Sequence, residues 1–136
     1  MDTNKMTALY ARNGLADPEE IRKQLVLTEG YAMLNNLDKD IRYFTDDGFS
    51  GLDFDRPGLQ ELRDAIRADE VQTVIVKNLA RLARNMLHFN ELLDEMKEHG
   101  VRFIAIKDDI DVKPEPPMQR NKSVRRPNRP AALKVW

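Results

Sequence analysis

The feature that most constrains the fold is a regular alternation of short, β-prone apolar runs with segments of helical periodicity. Residues 6–12 form an apolar run closed by Asn13-Gly14, a strong turn signal. Asp17-Pro18-Glu19-Glu20 has the make-up of a helix start: Asp17 to cap, Pro18 for the first turn, Glu20 at capping-box spacing. Ile21, Leu25, Thr28 and Ala32 carry that helix to about Asn36, and Gly30 weakens it without breaking it. Residues 41–45 read as a second strand, followed by a polar, glycine-bearing loop over 46–57. Pro57 opens a second helix with Leu59, Leu62 and Ile66 on its inner face. Residues 71–77 hold Val71, Val74, Ile75 and Val76 and read as a strand covered on both faces. A third helix is expected from about Arg81 to His99, with Leu82, Met86, Phe89, Leu93 and Met96 as its core stripe and Gly100 as its stop. Residues 101–106 make a fourth strand.

This β-α-β-α-β-α-β order predicts an α/β fold: an open, mostly parallel sheet of about four strands with helices on both faces. In such sheets ligands sit outside the carboxyl ends of the strands, here 12–14, 45–50, 77–84 and 107–109. The pattern stops after Asp111, where Pro114, Pro116, Pro117, Pro127 and Pro130 interrupt any element. The expected organisation is one domain over 1–111 and a basic, proline-rich tail or linker over 112–136. Charge divides at the same place: residues 1–111 carry a net −7 and residues 112–136 a net +6. A basic tail is the footprint of nucleic acid or another acidic partner, although composition alone favours a plain solvated tail. The chain has no cysteine, which excludes disulfides and thiolate metal sites, and only His88 and His99 as histidines. No apolar run approaches the ~18 residues of a membrane span, and residues 1–6 lack a signal peptide's apolar region, so no membrane and a cytoplasmic location are expected.

Two strand ends offer arginines to one crevice. Arg12 closes the first strand; Arg81 and Arg84 follow the third, three residues apart and on one helical face. Such a cluster suits a phosphate group, because the planar guanidinium bonds phosphate oxygens in pairs and keeps its charge. Lys77 adds to the field, and a helix N-terminus would add backbone donors. The plainer alternative is that these arginines pair with the many surface carboxylates of the body.

Ala8-Leu9-Tyr10-Ala11-Arg12, the loop Asp46-Asp47-Gly48-Phe49-Ser50-Gly51 with Asp55-Arg56-Pro57-Gly58-Leu59, the stretch from Val74 through Lys77-Asn78-Leu79-Ala80-Arg81-Leu82-Ala83-Arg84-Asn85, and Phe103-Ile104-Ala105-Ile106 stand in consistent order. Together they resemble the catalytic domain of serine site-specific recombinases, the resolvase and invertase family, and most closely its large-recombinase branch. The resemblance spans Ala8 to Asp111. It implies DNA as partner, phosphoryl transfer with no cofactor and no metal, and a serine hydroxyl that attacks a phosphodiester to give a phosphoserine intermediate. Residue by residue, Tyr10 and Arg12 match the first motif, Arg81 and Arg84 match the arginine motif that would stabilise transition-state charge, and Ser50 and Arg56 match recurring loop positions. Phosphate binding is thus expected of Arg12, Lys77, Arg81, Arg84, Ser50 and Arg56.

The family serine belongs at position 14, where this chain has Gly14. Asn78 replaces an acidic residue common in the third motif, and Ala80 a serine or aspartate. Ser50 and Ser123, the chain's two serines, are not obvious substitutes. Where the family continues into a long subunit-pairing helix, this sequence has its proline-rich tail. The expectation is a recombinase-family domain associated with DNA strand exchange but impaired in cleavage, acting as a homo-oligomer or with a related recombinase. The alternative is a non-catalytic DNA- or partner-binding regulatory protein on the same fold. A receiver domain is disfavoured because Lys77-Asn78 stands where a phosphoacceptor aspartate is needed, and a dinucleotide site because Gly14 is the only glycine after the first strand. Asp46, Asp47, Asp53 and Asp55 read as a solvated acidic loop, His88 and His99 as surface or capping residues, and Trp136 as a free end.

Overall fold

Alternate residues of the first strand face different helix layers, and that alternation organises the molecule. The structure is a computed structural model that describes residues 5–114; the proline-rich tail from residue 115 and Trp136 lie outside the described residues. In β1 (Met6–Asn13), Met6, Ala8 and Tyr10 enter the larger core together with α2 (Pro57–Arg67) and α4 (Met86–Glu98). Leu9 points the other way, to a smaller core with Ala32 of α1 (Pro18–Leu34). Period-two alternation on a strand that is buried on both sides produces this division.

The sheet order is β2-β1-β3-β4-β5, with β2 at Ile41–Asp47, β3 at Val71–Val76, β4 at Arg102–Ala105 and β5 at Ile110–Val112. Neighbours among the first four strands run parallel, whereas β5 returns antiparallel along β4, with Ile104 opposite Asp111. The sheet therefore has five strands rather than about four. The extra strand is three residues long and follows a 3₁₀ turn over Ile106–Asp108, with Asp109 left-handed at φ 57°. A run that short has no readable periodicity. It also crosses the 111/112 position where the domain was expected to end.

The expected third helix is two helices. A four-residue α3 (Leu79–Leu82) precedes α4. The break lies at Asn85, whose side chain accepts from the backbone N–H of Leu87 at 2.8 Å and of His88 at 3.3 Å. Asparagine caps more favourably than it extends a helix, and here the cap starts a separate helix. Leu82, Phe89, Leu93 and Met96 are buried as the stripe requires, but Met86, expected in the core, is 66% exposed. As the first residue of the restarted helix it falls outside the packed stripe.

Charge links the two helices on the larger core. The Arg63 guanidinium, mostly buried, donates to Glu95 at 2.9 and 3.1 Å, and Arg67 reaches the same carboxylate at 2.5 Å. Burial pushes the Glu95 carboxyl up, but the hydrogen bonds from Arg63 and Arg67 outweigh it and hold the group below its usual 4.5. A carboxyl depressed in the folded state contributes stability above its unfolded pKa and loses it as pH falls through the folded value. Urea midpoints measured from pH 7 to pH 3 should fall below about pH 4.5, and Glu95→Gln should flatten that decline. Equal acid sensitivity in the two proteins would show that the clamp contributes nothing.

Candidate phosphate-binding site

The chain leaves β1 for β2 in one direction and returns across the sheet to β3, so the winding reverses between β1 and β3. In open sheets of this kind the ligand crevice lies outside the carboxyl ends of the strands at such a reversal. Arg12 stands at that end of β1, and Lys77 to Arg84 follow β3.

Arg12 is 3% exposed. Its Nε donates to Arg81 O at 3.1 Å, Nη1 to Phe49 O at 2.9 Å and Nη2 to Ala80 O at 2.7 Å. One side chain thus joins β1, the loop after β2 and the turn after β3. Its own backbone is held by Gln24 of α1, which accepts from Arg12 N at 3.1 Å and donates to Arg12 O at 2.9 Å. Burial lowers the Arg12 pKa, and the positive charges of Arg56, Arg81 and Arg84 act in the same direction. A guanidinium has five N–H groups, so three bonds to carbonyls leave two uncommitted.

Arg81 is half-buried; its Nη1 donates to Arg12 O at 3.3 Å and to Asn13 Oδ1 at 3.4 Å. Its backbone N–H is capped by Asn78 Oδ1 at 3.3 Å. Arg84 is exposed and laid across Gly51: its N–H donates to Gly51 O at 3.1 Å. A Cβ at Gly51 would lie 2.5 Å from Arg84 Cγ and 2.9 Å from Arg12 Nη2, so only glycine lets the two arginines meet there. Gly14 is exposed and outside the left-handed region, and a Cβ added to it would meet only Arg12 Nη1, at 3.9 Å. Position 14 therefore opens onto the arginine cluster and has room for a side chain.

Tyr10 and Arg56 lie beneath this surface. Tyr10 is fully buried and donates to Asp46 Oδ2 at 2.6 Å. Burial raises its phenol pKa far above the usual value, and the hydrogen bond to Asp46 adds to the rise. Asp46 is itself buried and accepts from Gly58 N at 2.7 Å and Leu59 N at 2.9 Å, capping α2. It is a structural anion, so the reading of 46–55 as a wholly solvated acidic loop is corrected at this residue. Gly58 allows the approach: a Cβ there would lie 2.4 Å from Thr45 O. Arg56 is 0% exposed, stands 5.7 Å from the Tyr10 ring centroid and donates to Leu82 O. Ser50 is exposed in the loop, its Oγ accepting from Leu52 N at 3.0 Å. The structure thus gathers Arg81, Arg84 and Gly14 around the buried Arg12, sets Lys77 and Ser50 on the margins, and buries Tyr10 and Arg56 below.

Sequence reasoning missed Gln24, Asp46 and Gly51 as site-building residues. Gln24 lay on a helix with no polar pattern to mark it, whereas Gly51 beside Ser50 was a signal of close approach. His88 stacks on Phe54 with centroids 4.1 Å apart, and His99 pairs with Asp69 at 2.8 Å. Among the described residues no group of three or more His, Asp or Glu side chains is placed to hold a metal ion, and no helix is long and apolar enough to cross a membrane.

Comparison with known proteins agrees with this architecture. The family model described as the resolvase N-terminal domain matches residues 7–121. The chain belongs to the serine recombinase family, as a domain of the resolvase N-terminal type. It is 39% identical over 66 residues to the serine recombinase gin of Escherichia phage Mu, covering 48% of this chain and 33% of that protein. It is 36% identical over 62 residues to the transposon Tn917 resolvase of Enterococcus faecalis, covering 46% and 33%. The chain thus matches about one third of the length of these curated relatives. Among solved structures, the N-terminal catalytic domain of TP901-1 integrase aligns with a TM-score of 0.72 at 27% identity, covering 79% of this chain and 82% of that one. The protein of the first open reading frame of transposon ISC1904 from Sulfolobus solfataricus P2 aligns at 0.63 and 28%, covering 85% and 76%.

Gly51→Ala tests the packing of the cluster. The Arg12 guanidinium is pinned by three carbonyls and the Arg84 atom in the way is close to its backbone, so neither retreats freely. The substitution should cost about 1–3 kcal/mol in urea unfolding and move the Arg84 Nε–H resonance. An unshifted resonance and unchanged stability would contradict the cradle.

Proposed function

We propose that this chain is a serine recombinase-family domain that grips a DNA phosphodiester and does not cut it. The observation that carries the reading is Gly14: the position where the family's nucleophile belongs lies beside Arg12 Nη1 and carries no hydroxyl. The surrounding cations supply what a bound phosphate needs. Arg12 offers its remaining N–H groups from a fixed, buried position, while Arg81 and Arg84 come from the turn after β3. In a recombinase the same donors would stabilise the charge of a pentacoordinate phosphorus. Without the attacking oxygen they hold only the ground state. The neighbourhood fits this loss: Asn78 is used as a helix cap, and Ala80 contributes only its backbone carbonyl to Arg12.

DNA is the proposed partner, with a second copy or a related recombinase as the associating protein, as family membership supports. Site-specific recombination in a mobile-element setting and a cytoplasmic location complete the reading. The non-catalytic, DNA-binding role is favoured over residual strand exchange by the empty position at residue 14.

A gel-shift series and a denaturing gel test the proposal together. The protein should shift duplex DNA, with affinity falling steeply as salt rises, and should leave no covalent protein–DNA adduct. Gly14→Ser fits the available space but leaves positions 78 and 80 unchanged, and alone it should not restore recombination. A covalent adduct formed by the unaltered chain, or salt-independent binding, would overturn the reading.

A further inference from the structure

Glu20 has been released from the role its sequence position assigns. In a capping box the third residue's carboxylate turns back to the N–H of the capping residue. Here only half of the box forms: Asp17 Oδ1 accepts from Glu20 N at 3.3 Å, but the Asp17 N–H is taken by Asp47 Oδ1 at 2.7 Å. Freed from its own helix, the Glu20 carboxylate reaches into the crevice. Its Oε2 lies 3.5 Å from Lys77 Nζ and 3.9 Å from Arg81 Nη2. All three side chains are partly buried, at 26% exposure for Glu20, 29% for Lys77 and 22% for Arg81. The neighbouring Glu19 differs: it pairs with Arg22 along the outside of α1.

A carboxylate held between a lysine and an arginine occupies the place of a phosphate oxygen. Both distances are long for direct ion pairs, so the contact is loose enough to be exchanged for a better ligand. We propose that Glu20 is an internal counter-anion of this crevice: it neutralises the Lys77–Arg81 margin when no ligand is bound and competes with an incoming phosphate for those two cations. It thereby sets how tightly the site takes an anion, and disfavours ligands too weakly charged to displace it. This inference rests on the phosphate-gripping reading and adds a residue to it that the family motifs do not contain.

The test is a titration of the protein, Glu19→Gln and Glu20→Gln with inorganic phosphate, followed through the arginine Nε–H signals by NMR. Removing one opposing charge about 4 Å from the ligand's partners is worth roughly a fivefold gain in affinity when fully screened as in bulk water, and more where the pair is partly buried. Glu20→Gln should therefore bind phosphate at least roughly fivefold more tightly, with the largest extra shift at Arg81. Glu19→Gln, an equal change in net charge next door, should match the unaltered protein. Equal affinity for all three proteins, equal tightening in both variants, or weaker binding by Glu20→Gln overturns the role of Glu20 while leaving the phosphate reading standing. No binding by any of the three overturns both. Thermal unfolding of the same samples identifies a misfolded variant, and Glu20→Ala then serves in its place.

Discussion

The crevice depends on one buried cation. Arg12 sends a guanidinium from the end of β1 into three backbone carbonyls, at Phe49, Ala80 and Arg81. Those carbonyls belong to the loop after β2 and to α3, the short helix after β3. Carbonyls partly satisfy the N–H groups but do not neutralise the charge, and burying a charge without a counter-ion is costly unless its hydrogen bonds are met. Among the described residues no carboxylate is bonded to Arg12, and Arg56, Arg81 and Arg84 all oppose its protonated form. The cluster therefore keeps an unbalanced positive field at a mouth where these two segments converge. That field follows from the fold: Arg12 cannot leave without loosening both.

Below the field lies a hydrogen-bonded layer. Asp46 receives the Tyr10 hydroxyl and two N–H groups of α2, so its negative charge is spread over three donors. At the margin stands Glu20, facing Lys77 and Arg81. Depth thus separates the carboxylates. The buried one is hydrogen-bonded on both oxygens, while the partly buried one stands 3.5 and 3.9 Å from its two cations. A surface built this way carries the donors and the charge that the proposed phosphate ligand requires. The proposal that the site grips without cutting rests on Gly14, which carries no side-chain oxygen beside Arg12.

Much of this was legible in the sequence. The alternation of runs gave the parallel sheet with helices on both faces, because strands such as Val71–Val76 are apolar on both sides and helices such as Pro57–Arg67 on one. Arg12, Arg81 and Arg84 were placed at strand ends, and they do converge. Side chains that act on the backbone were not legible. Asn85 lay inside a convincing apolar stripe, yet its cap splits the helix, because a local hydrogen bond to two N–H groups competes with continuation. Arg12 read as a free phosphate ligand, although most of its donors serve carbonyls 37 to 69 residues away. Glu20 read as half of a capping box until Asp47, from another strand, took the partner that box needs. At Asn85 a local hydrogen bond overrode the apolar stripe; at Arg12 and Glu20 long-range hydrogen bonds reassigned side chains whose local context pointed elsewhere.

The most direct measurement is a crystal structure of the protein soaked in inorganic phosphate. The account predicts one phosphate at the mouth of the crevice, bonded by Arg12 and Arg81 with Arg84 close by, and lying over the open position at Gly14. A phosphate bound elsewhere on the chain, or guanidiniums of Arg12, Arg81 and Arg84 facing separate surfaces, would contradict it.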